Sequence, residues 1–236
     1  MNKNRKELNT AEKNTWCPGC LNFVTLAALK KTLRKLADNG EIDLGSTVLV
    51  TDIGCGAKVY DYINVNAVYS LHGRVLPVAS GIKAANPKLT VIGFGGDGGT
   101  YNEGMNHLIH SSRRNAGITM IVANNRVFAL TKGQPTATNP SSTGKPIDAI
   151  RLANDAGATF SARTSALDTG NLENVLETAI THKGFSLVEI IQPCLIFNND
   201  IQEMRKEAEK IRAAGIPKPK ARPVWEEEIR SGLKPK

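Results

Sequence analysis

The chain has 236 residues, of which 41% are hydrophobic and 22% charged, and its formal net charge is +8. This length predicts one large α/β domain, or one such domain with extensions. The first fifteen residues are polar and charged rather than an apolar export signal, and no apolar run reaches the length of a membrane span. We therefore expect a cytoplasmic protein with no membrane partner.

The positive charge is concentrated in the tail, residues 201–236, which carries ten Lys or Arg and six Glu. A basic tail can bind nucleic acid, but here the cations alternate with Glu and Trp225 is the only aromatic residue. We therefore expect no nucleic-acid partner. The pattern predicts a solvated helix and a Pro-rich strap that lie on a partner subunit.

The apolar residues predict alternating helices and strands. Leucines recur at three- and four-residue steps from Leu26 to Leu36, which predicts an amphipathic helix over 21–38. The other predicted elements are, in chain order, a strand at 47–51, a helix at 77–86, strands at 89–94 and 118–123, a loop at 129–146, a helix near 147–156, a strand near 158–162, a helix near 171–182 and a strand at 185–191. This alternation predicts a mainly parallel sheet flanked by helices.

Two segments in the middle of the chain carry further local signals. Thr100-Tyr-Asn-Glu103 has the capping-box pattern, so we expect the helix between the strands at 89–94 and 118–123 to begin there. The loop over 129–146 is rich in Thr, Ser, Gly and Pro and is long for an idle connection. Its length favours a functional role.

Oxygen-bearing side chains follow two of the predicted strands. The strand at 89–94 ends in Gly95-Gly-Asp-Gly-Gly99, and the strand at 118–123 ends in Asn124-Asn125. An aspartate and an amide oxygen beside a glycine-rich turn suit a magnesium ion that carries a diphosphate. The alternative is a tight turn in which Asp97 only caps a helix. In open α/β sheets ligands bind at the carboxyl ends of the strands, where these residues lie.

The chain contains four cysteines, Cys17, Cys20, Cys55 and Cys194, and each stands at the boundary of a predicted element. One Cys-x-x-Cys pair with two distant thiolates can hold a tetrahedral zinc ion or a [4Fe-4S] cluster. Disulfides are the third option, but nothing in the sequence indicates export. In a reducing cytoplasm, a Cys-x-x-Cys pair indicates metal or redox chemistry.

Longer motifs surround these ligand candidates: Trp16-Cys-Pro-Gly-Cys20, Ile53-Gly-Cys-Gly-Ala-Lys58, Leu71-His-Gly-Arg74, Leu76-Pro-Val-Ala-Ser-Gly-Ile-Lys-Ala-Ala-Asn-Pro87, Asn106-His-Leu-Ile-His-Ser-Ser-Arg-Arg-Asn115, the run from Asn124 to Thr138, and Gln192-Pro-Cys194. Together they resemble the β subunit of the 2-oxoacid:ferredoxin oxidoreductases, over about Trp16 to Asn198. All four cysteines of the family's cluster have a counterpart here, and none is left over.

The resemblance implies a thiamine-diphosphate-binding fold and a set of ligand residues. Magnesium is expected on the side chains of Asp97 and Asn125 and on the backbone carbonyl of Val127. A [4Fe-4S] cluster is expected on the four cysteines. The residues expected to line the thiamine diphosphate are Ile53, Gly54, Cys55, Gly56, His72, Gly73, Gly98, Gly99, Ala129 and Leu130. For His72, the alternative is a hydrogen-bonded turn residue without a ligand.

The implied reaction is the oxidative decarboxylation of a 2-oxoacid, or its reverse. Coenzyme A takes the acyl group, and electrons leave singly through the cluster to ferredoxin. Lys58 and Leu130 are expected to border the substrate, where Lys58 could pair with a distal carboxylate such as that of 2-oxoglutarate. The alternative for Lys58 is an ordinary surface lysine.

The resemblance also implies that the chain works with an α subunit, which supplies the glutamate that activates the cofactor. We therefore divide the chain into a polar arm at 1–15, a cofactor-binding domain at 16–200 and a charged tail at 201–236. Leu21 and Lys132 stand where the family more often has glycine. The rival interpretations are a non-redox thiamine enzyme half and a zinc-stabilised binding module.

Overall fold

The computed structural model describes residues 7–232, so 1–6 of the predicted arm and 233–236 of the predicted tail lie outside the described residues. Its centre is a six-stranded parallel sheet, which confirms the predicted fold class. The sheet order is β2-β1-β3-β4-β8-β7. Its strands are β1 (Thr47–Thr51), β2 (Asn66–Tyr69), β3 (Thr90–Gly96), β4 (Ile118–Asn124), β7 (Phe160–Ser165) and β8 (Ser186–Ile191), and a separate antiparallel hairpin pairs β5 (Val127–Phe128) with β6 (Gln134–Pro135).

Helices cover both faces of the sheet. They are α1 (Asn22–Asp38), α2 (Val59–Tyr62), α3 (Val75–Ala85), α4 (Met105–Arg114), α5 (Ala149–Ala156), α6 (Thr169–Thr181), α7 (Ile201–Ala214) and α8 (Trp225–Gly232). Alternate strand residues point to opposite faces, so Leu49 and Ile92 pack with α1 and α6. Val50 and Val91 pack with α3, α4 and α5. Burial on both faces explains why the central strands are continuous apolar runs.

The strand order reverses direction between β1 and β3. The chain passes from β1 outward to β2 and then returns to place β3 on the other side of β1. Such a reversal opens a crevice beyond the carboxyl ends of the two strands. The pairing register aligns Thr51 with Phe94 and Gly96 with Ala123, so the turns after β1, β3 and β4 meet at this edge.

The predicted start of the helix after β3 is wrong. Residues Gly98–Glu103 form a π-helical turn, and α4 begins only at Met105. The Thr100 hydroxyl makes no capping hydrogen bond and is buried. Gly104, at the end of this turn, packs closely against the turn after β2, because a Cβ atom there would lie 2.9 Å from the carbonyl oxygen of Gly73. The wider turn accommodates that contact, and π-helical turns are frequent at functional sites.

The tail forms the predicted helix, α7, and the expectation that the following strap lies on a partner subunit stays a prediction. The segment between α7 and α8 lies on its own chain. The Lys220 N–H donates to the Thr159 carbonyl over 2.8 Å, and the Asn115 side chain donates to the carbonyl oxygens of Arg222 and Pro223. Trp225 then packs under the guanidinium of Arg114.

Two other features of the described residues were not predicted. Strand β2 is a mostly exposed edge strand, so it lacks the apolar run that identified the others. In the predicted polar arm, Leu8 is buried in the core beside α1. None of the helices within residues 7–232 is both long and apolar enough to cross a membrane.

Candidate functional site

Asp97 lies directly after β3, and its side chain is buried. Its Oδ2 atom accepts hydrogen bonds from the hydroxyls of Thr136, at 2.6 Å, and Thr138, at 3.2 Å. Burial raises the pKa of Asp97 to about 6 despite these hydrogen bonds. A carboxylate held in a polar but water-poor position gains from a nearby cation, so its surroundings fit a divalent metal ion.

Asn125 follows β4 and lies beside Asp97. Its backbone N–H points at Asp97 Oδ1 over 3.4 Å, and its own side-chain oxygen accepts from the Val127 N–H at 3.0 Å. Arg126, which lies between Asn125 and Val127 in the chain, has a φ of 64°, so the chain turns sharply after the strand. Asp97, Asn125 and Val127 thus lie near one another, and carboxylate, amide and carbonyl oxygens are ligands that Mg²⁺ prefers. The Val127 carbonyl accepts a hydrogen bond from the Ala129 N–H at 3.0 Å.

The glycines after β3 allow close packing at this edge. A Cβ atom at Gly98 would collide with the ring of Phe128, and one at Gly99 would collide with the carboxylate of Asp52. Both backbones therefore come closer to their neighbours than a residue with a side chain could. Such a turn leaves backbone N–H groups accessible to a diphosphate at the start of the helical segment.

A cavity of about 220 Å³ opens beside these residues. Its lining contains most of the residues predicted to contact the cofactor, and these are Ile53, Gly54, Cys55, Gly56, His72, Asp97, Gly98, Gly99, Asn125, Val127, Ala129 and Leu130. Gly73 lies behind the lining, where its N–H donates to Asp52. A larger cleft of about 530 Å³ lies at the opposite end of the sheet, away from these residues.

Lys58 is not part of the cavity lining. Its ammonium donates a hydrogen bond to the Thr15 hydroxyl. Lys58 also lies near Cys55, and its positive charge lowers the pKa of that thiol. To contact a ligand in the cavity, the Lys58 ammonium would have to give up its hydrogen bond to the Thr15 hydroxyl.

The segments that carry the cysteines are held together by contacts of their neighbours. The indole N–H of Trp16 donates to the Cys55 carbonyl over 2.6 Å. A Cβ atom at Gly19 would lie 3.2 Å from the side chain of Leu195, so the Cys17–Cys20 turn packs on the segment after β8. All four cysteines are free thiols in the structure.

Cys20 and Cys55 are half-buried and lie within electrostatic range of the other thiols. Burial raises the pKa of Cys20, and the charges of Cys17, Cys55 and Cys194 raise it further. Burial likewise raises the pKa of Cys55, and Cys194 and Cys17 add to that effect. With the contacts of Trp16 and Gly19, this places the segments that carry the four thiols beside one another.

This region differs from a compact site for a single ion. Within residues 7–232, no three His, Cys, Asp or Glu side chains are arranged to bind one metal ion. A tetrahedral zinc ion would need sulfur atoms about 3.8 Å apart, given a Zn–S bond of about 2.3 Å. A four-iron cluster also takes four cysteines, each bound to a different iron.

One asparagine connects the sulfur and oxygen groups. Two backbone hydrogen bonds between Cys194 and Asn198 close the turn after β8. The side chain of Asn198 then donates to the Asn125 carbonyl over 2.9 Å. Because Cys55 itself lines the cavity, the thiol region and the oxygen donors lie on the same edge of the sheet.

Five polar residues of the site were not predicted as site residues. Asn22 and Gln192 line the cavity, are buried, and bond to each other over 2.7 Å. Thr136 and Thr138 reach Asp97 from the long loop, which explains the length of that loop. Asp52 lies behind His72. No sequence spacing links such pairs, because 170 positions separate Asn22 from Gln192.

Comparison with known proteins points to the same family as the sequence motifs. The family model described as thiamine pyrophosphate enzyme, C-terminal TPP binding domain, matches residues 49–190. The 2-oxoacid:ferredoxin oxidoreductase subunit beta of Saccharolobus solfataricus is 42% identical over 200 residues, which cover 80% of this chain and 64% of the relative. The 2-oxoglutarate synthase subunit KorB of Archaeoglobus fulgidus is 35% identical over 189 residues, covering 76% of this chain and 69% of the relative. The chain belongs to the β-subunit family of the 2-oxoacid:ferredoxin oxidoreductases.

A solved structure shows that the fold of this family extends over nearly the whole chain. The 2-oxoglutarate:ferredoxin oxidoreductase from Magnetococcus marinus, with 2-oxoglutarate, coenzyme A and succinyl-CoA bound, superposes with a TM-score of 0.85 at 25% identity. The match covers 96% of this chain and 89% of that chain. The chain nevertheless spans less than two thirds of the length of the Saccharolobus relative.

Proposed function

We propose that the chain is the β subunit of an enzyme that oxidatively decarboxylates a 2-oxoacid in the presence of coenzyme A, or runs the reverse reaction. Electrons pass from the thiamine diphosphate site through a [4Fe-4S] cluster to ferredoxin. The observation that carries this proposal is the position of Cys55. It lines the cofactor cavity and at the same time belongs to the group of four neighbouring thiols.

Asp97, Asn125 and the Val127 carbonyl would hold Mg²⁺, and the Gly98–Gly99 backbone would receive the diphosphate. When bound, thiamine diphosphate supplies the nucleophilic carbon and the electron sink of the decarboxylation. The chain contributes orientation through the two threonines on Asp97. Apolar walls, including Phe128 and Ala123, keep water from the reacting groups.

The four cysteines would hold the cluster. Its place beside the cavity wall gives electrons a short route out of the cofactor site, since one backbone segment, 53–56, serves both groups. A non-redox thiamine enzyme would leave four neighbouring thiols without a role. A zinc-stabilised module would leave the oxygen donors around Asp97 without one.

The partner is an α subunit that completes the cofactor site. Thiamine diphosphate needs a carboxylate beside its aminopyrimidine ring, and Asp97 is the sole carboxyl group among the described residues that line the cavity. Large apolar side chains are also exposed in the segments that carry site residues. Leu130, which lines the cavity, is 60% exposed, Leu71 next to His72 is 77% exposed, and Ile196 after Cys194 is 63% exposed. Exposed apolar residues clustered at one edge mark a surface for another protein, and here that protein supplies the glutamate.

Coenzyme A and the 2-oxoacid are proposed as substrates, with Leu130 at the mouth of the cavity. Lys58 is proposed to pair with the distal carboxylate of a dicarboxylic 2-oxoacid after leaving Thr15. Lys58→Met should then lower kcat/KM for 2-oxoglutarate at least tenfold relative to pyruvate. An equal change for both substrates would remove Lys58 from the substrate site.

Reconstitution with the α subunit tests the whole proposal. The complex, purified without oxygen, should reduce ferredoxin only when a 2-oxoacid, coenzyme A, Mg²⁺ and thiamine diphosphate are all present. The isolated chain should bind the cofactor weakly and show no turnover. Turnover by the chain alone, or decarboxylation by the complex without any ferredoxin reduction, would refute the proposal.

A further inference from the structure

We propose that Asp52 is a positioning residue for His72. The carboxylate holds the imidazole with Nδ1–H directed inward, so that Nε2 is the nitrogen offered to the cofactor cavity. This inference rests on the proposed function for the identity of the cofactor, thiamine diphosphate with Mg²⁺. The arrangement of the two side chains does not depend on that identity.

Asp52 is the first residue after β1, at the point where the strand order reverses. Its side chain is fully buried. Burial raises the pKa of its carboxyl group, while hydrogen bonds from Gly73 and Ile53 and the proximity of His72 lower it. Burying a carboxyl group costs free energy unless hydrogen-bond partners compensate for the lost hydration. The partners of Asp52 therefore indicate what it does.

One oxygen of Asp52 faces both Gly73 and His72. Oδ1 accepts from the Gly73 N–H at 2.9 Å and faces His72 Nδ1 at 3.2 Å. The second oxygen, Oδ2, has no hydrogen-bond partner among the described residues and lies against Gly99. The carboxylate thus joins the histidine turn to the glycine turn that would receive the diphosphate.

This contact determines the proton position on the neutral histidine ring. A carboxylate is an acceptor, so Nδ1 must carry the hydrogen when it faces Asp52. Nε2 then presents a lone pair in the neutral ring and an N–H in the charged ring. An aspartate that orients a catalytic imidazole in this way is known from serine proteases.

The other edge of the ring faces the cofactor cavity. His72 lines that cavity, its side chain is 38% exposed, and its ring meets Phe128 edge-on at a centroid distance of 6.4 Å. Phe128 in turn touches the Gly98 position. Nε2 is therefore the ring nitrogen that a ligand in the cavity would meet.

A purely structural role for Asp52 makes a different prediction. If the carboxylate only pinned the Gly73 N–H, then Asp52→Asn would keep that bond, since an amide oxygen also accepts. In the same variant, Nδ1 of His72 no longer has to carry the hydrogen, because the amide can donate as well as accept. Asp52→Asn therefore separates the positioning role from support of the turn.

Nitrogen NMR of the full chain tests the geometry directly. The chain has four histidines, and His72→Asn assigns the His72 signals by their disappearance. We expect the Nδ1–H tautomer for neutral His72 in the unmodified chain. In Asp52→Asn, the Nε2–H tautomer should gain population while the other three histidines stay unchanged. A predominant Nε2–H tautomer in the unmodified chain, or unchanged His72 signals in Asp52→Asn, would overturn the proposal.

Cofactor binding by the αβ complex tests the consequence. His72→Asn keeps a donor near Asp52 but removes the nitrogen at the cavity, and it should weaken binding of Mg²⁺–thiamine diphosphate about tenfold. Asp52→Asn should weaken binding by a similar factor in the unmodified complex. It should have less than a twofold effect when His72→Asn is already present. Equal losses in both backgrounds would show that Asp52 does not act through His72.

The two tests separate this inference from the proposed function. If the complex bound no thiamine diphosphate, the proposed function would fail. The tautomer measurement needs no cofactor, so it would still decide whether Asp52 orients His72.

Discussion

The indole nitrogen of Trp16 donates a 2.6 Å hydrogen bond to the carbonyl oxygen of Cys55. This bond ties the segment that carries Cys17 and Cys20 to the turn after β1. Trp16 is itself wedged edge-on against Phe23 and Tyr62. The N-terminal thiols are therefore positioned by an aromatic anchor as well as by their own turn.

Replacing Trp16 with Phe should loosen the thiol region. The variant keeps an aromatic ring but loses the hydrogen bond, which is worth about 1 kcal/mol. We expect less iron per chain after anaerobic purification and faster loss of the brown colour in air. Trp225→Phe is the matched control, because Trp225 packs on Arg114 at the tail and should leave both readouts unchanged. Identical bleaching rates for Trp16→Phe and the unmodified protein would contradict this role.

Replacing Thr136 with Val should weaken the magnesium site. The change preserves shape but removes the hydroxyl that donates to Asp97 Oδ2 at 2.6 Å. Hydrogen-bond partners of metal ligands typically contribute about tenfold or more to metal affinity. We expect about tenfold weaker Mg²⁺-dependent binding of thiamine diphosphate in the αβ complex. Thr178→Val on the exposed face of α6 should bind normally, and unaltered binding by Thr136→Val would be evidence against the site.

Asp97 should make the metal-free chain less stable as pH rises. Its pKa is raised to about 6 by burial, so the folded state favours the protonated carboxyl. The free energy of unfolding should therefore fall between pH about 4 and pH about 6, and level off above that. The total is on the order of 3 kcal/mol, from a shift of about two pKa units.

Asp97→Asn removes this dependence and provides the measurement. In urea titrations without cofactor, the variant should become progressively more stable than the unmodified chain as pH rises from about 4 to about 6. Mg²⁺ and thiamine diphosphate, added to the αβ complexes, should stabilise the unmodified protein and not the variant. A stability difference that is flat with pH would rule out the buried, ionisable state of Asp97.

A buried ion pair is linked to Asp97 by hydrogen bonds. Glu189 is 1% exposed and lies between the Arg163 guanidinium and the side-chain amide of Asn124. The Thr138 hydroxyl contacts both Asn124 and Asp97. The proposed metal site is thus connected through hydrogen bonds to an ion pair on β7 and β8.

Arg163→Met should leave the buried carboxylate of Glu189 without its cation. Removing one partner of a buried pair costs about 3–5 kcal/mol. Because Arg163 is about a third exposed, we expect about 2–3 kcal/mol in chemical denaturation. Arg151→Met is the control, since Arg151 pairs with Asp155 on an exposed helix surface and should change stability by less than about 0.5 kcal/mol. Equal effects of the two variants would argue against the network.

The sequence allowed prediction of the sheet and of which turns meet at its edge. Those features depend on local signals, namely apolar strand runs and the placement of Asp97, Asn125 and Cys55 at strand ends. Parallel topology then brings these ends together regardless of the distance along the chain. The edge strand β2 was not predicted, and it is short and mostly exposed.

The remaining site residues depend on packing that no local pattern encodes. Thr136 belongs to a loop whose length indicated function but not its target. The π-helical turn at Gly98–Glu103 packs against the neighbouring Gly73 turn, and the local capping pattern was misleading. The strap also lies on its own chain because Asn115 and Thr159 offer it partners from other elements.

We propose that thiols and oxygen donors from distant segments form one redox site at the carboxyl edge of the sheet. Iron, acid-labile sulfide and zinc analysis of anaerobically purified protein tests it most directly. We expect about four iron and four sulfide per chain and negligible zinc. In Cys55→Ser, the iron and the sulfide should be lost together. One zinc per chain without iron or sulfide would contradict it.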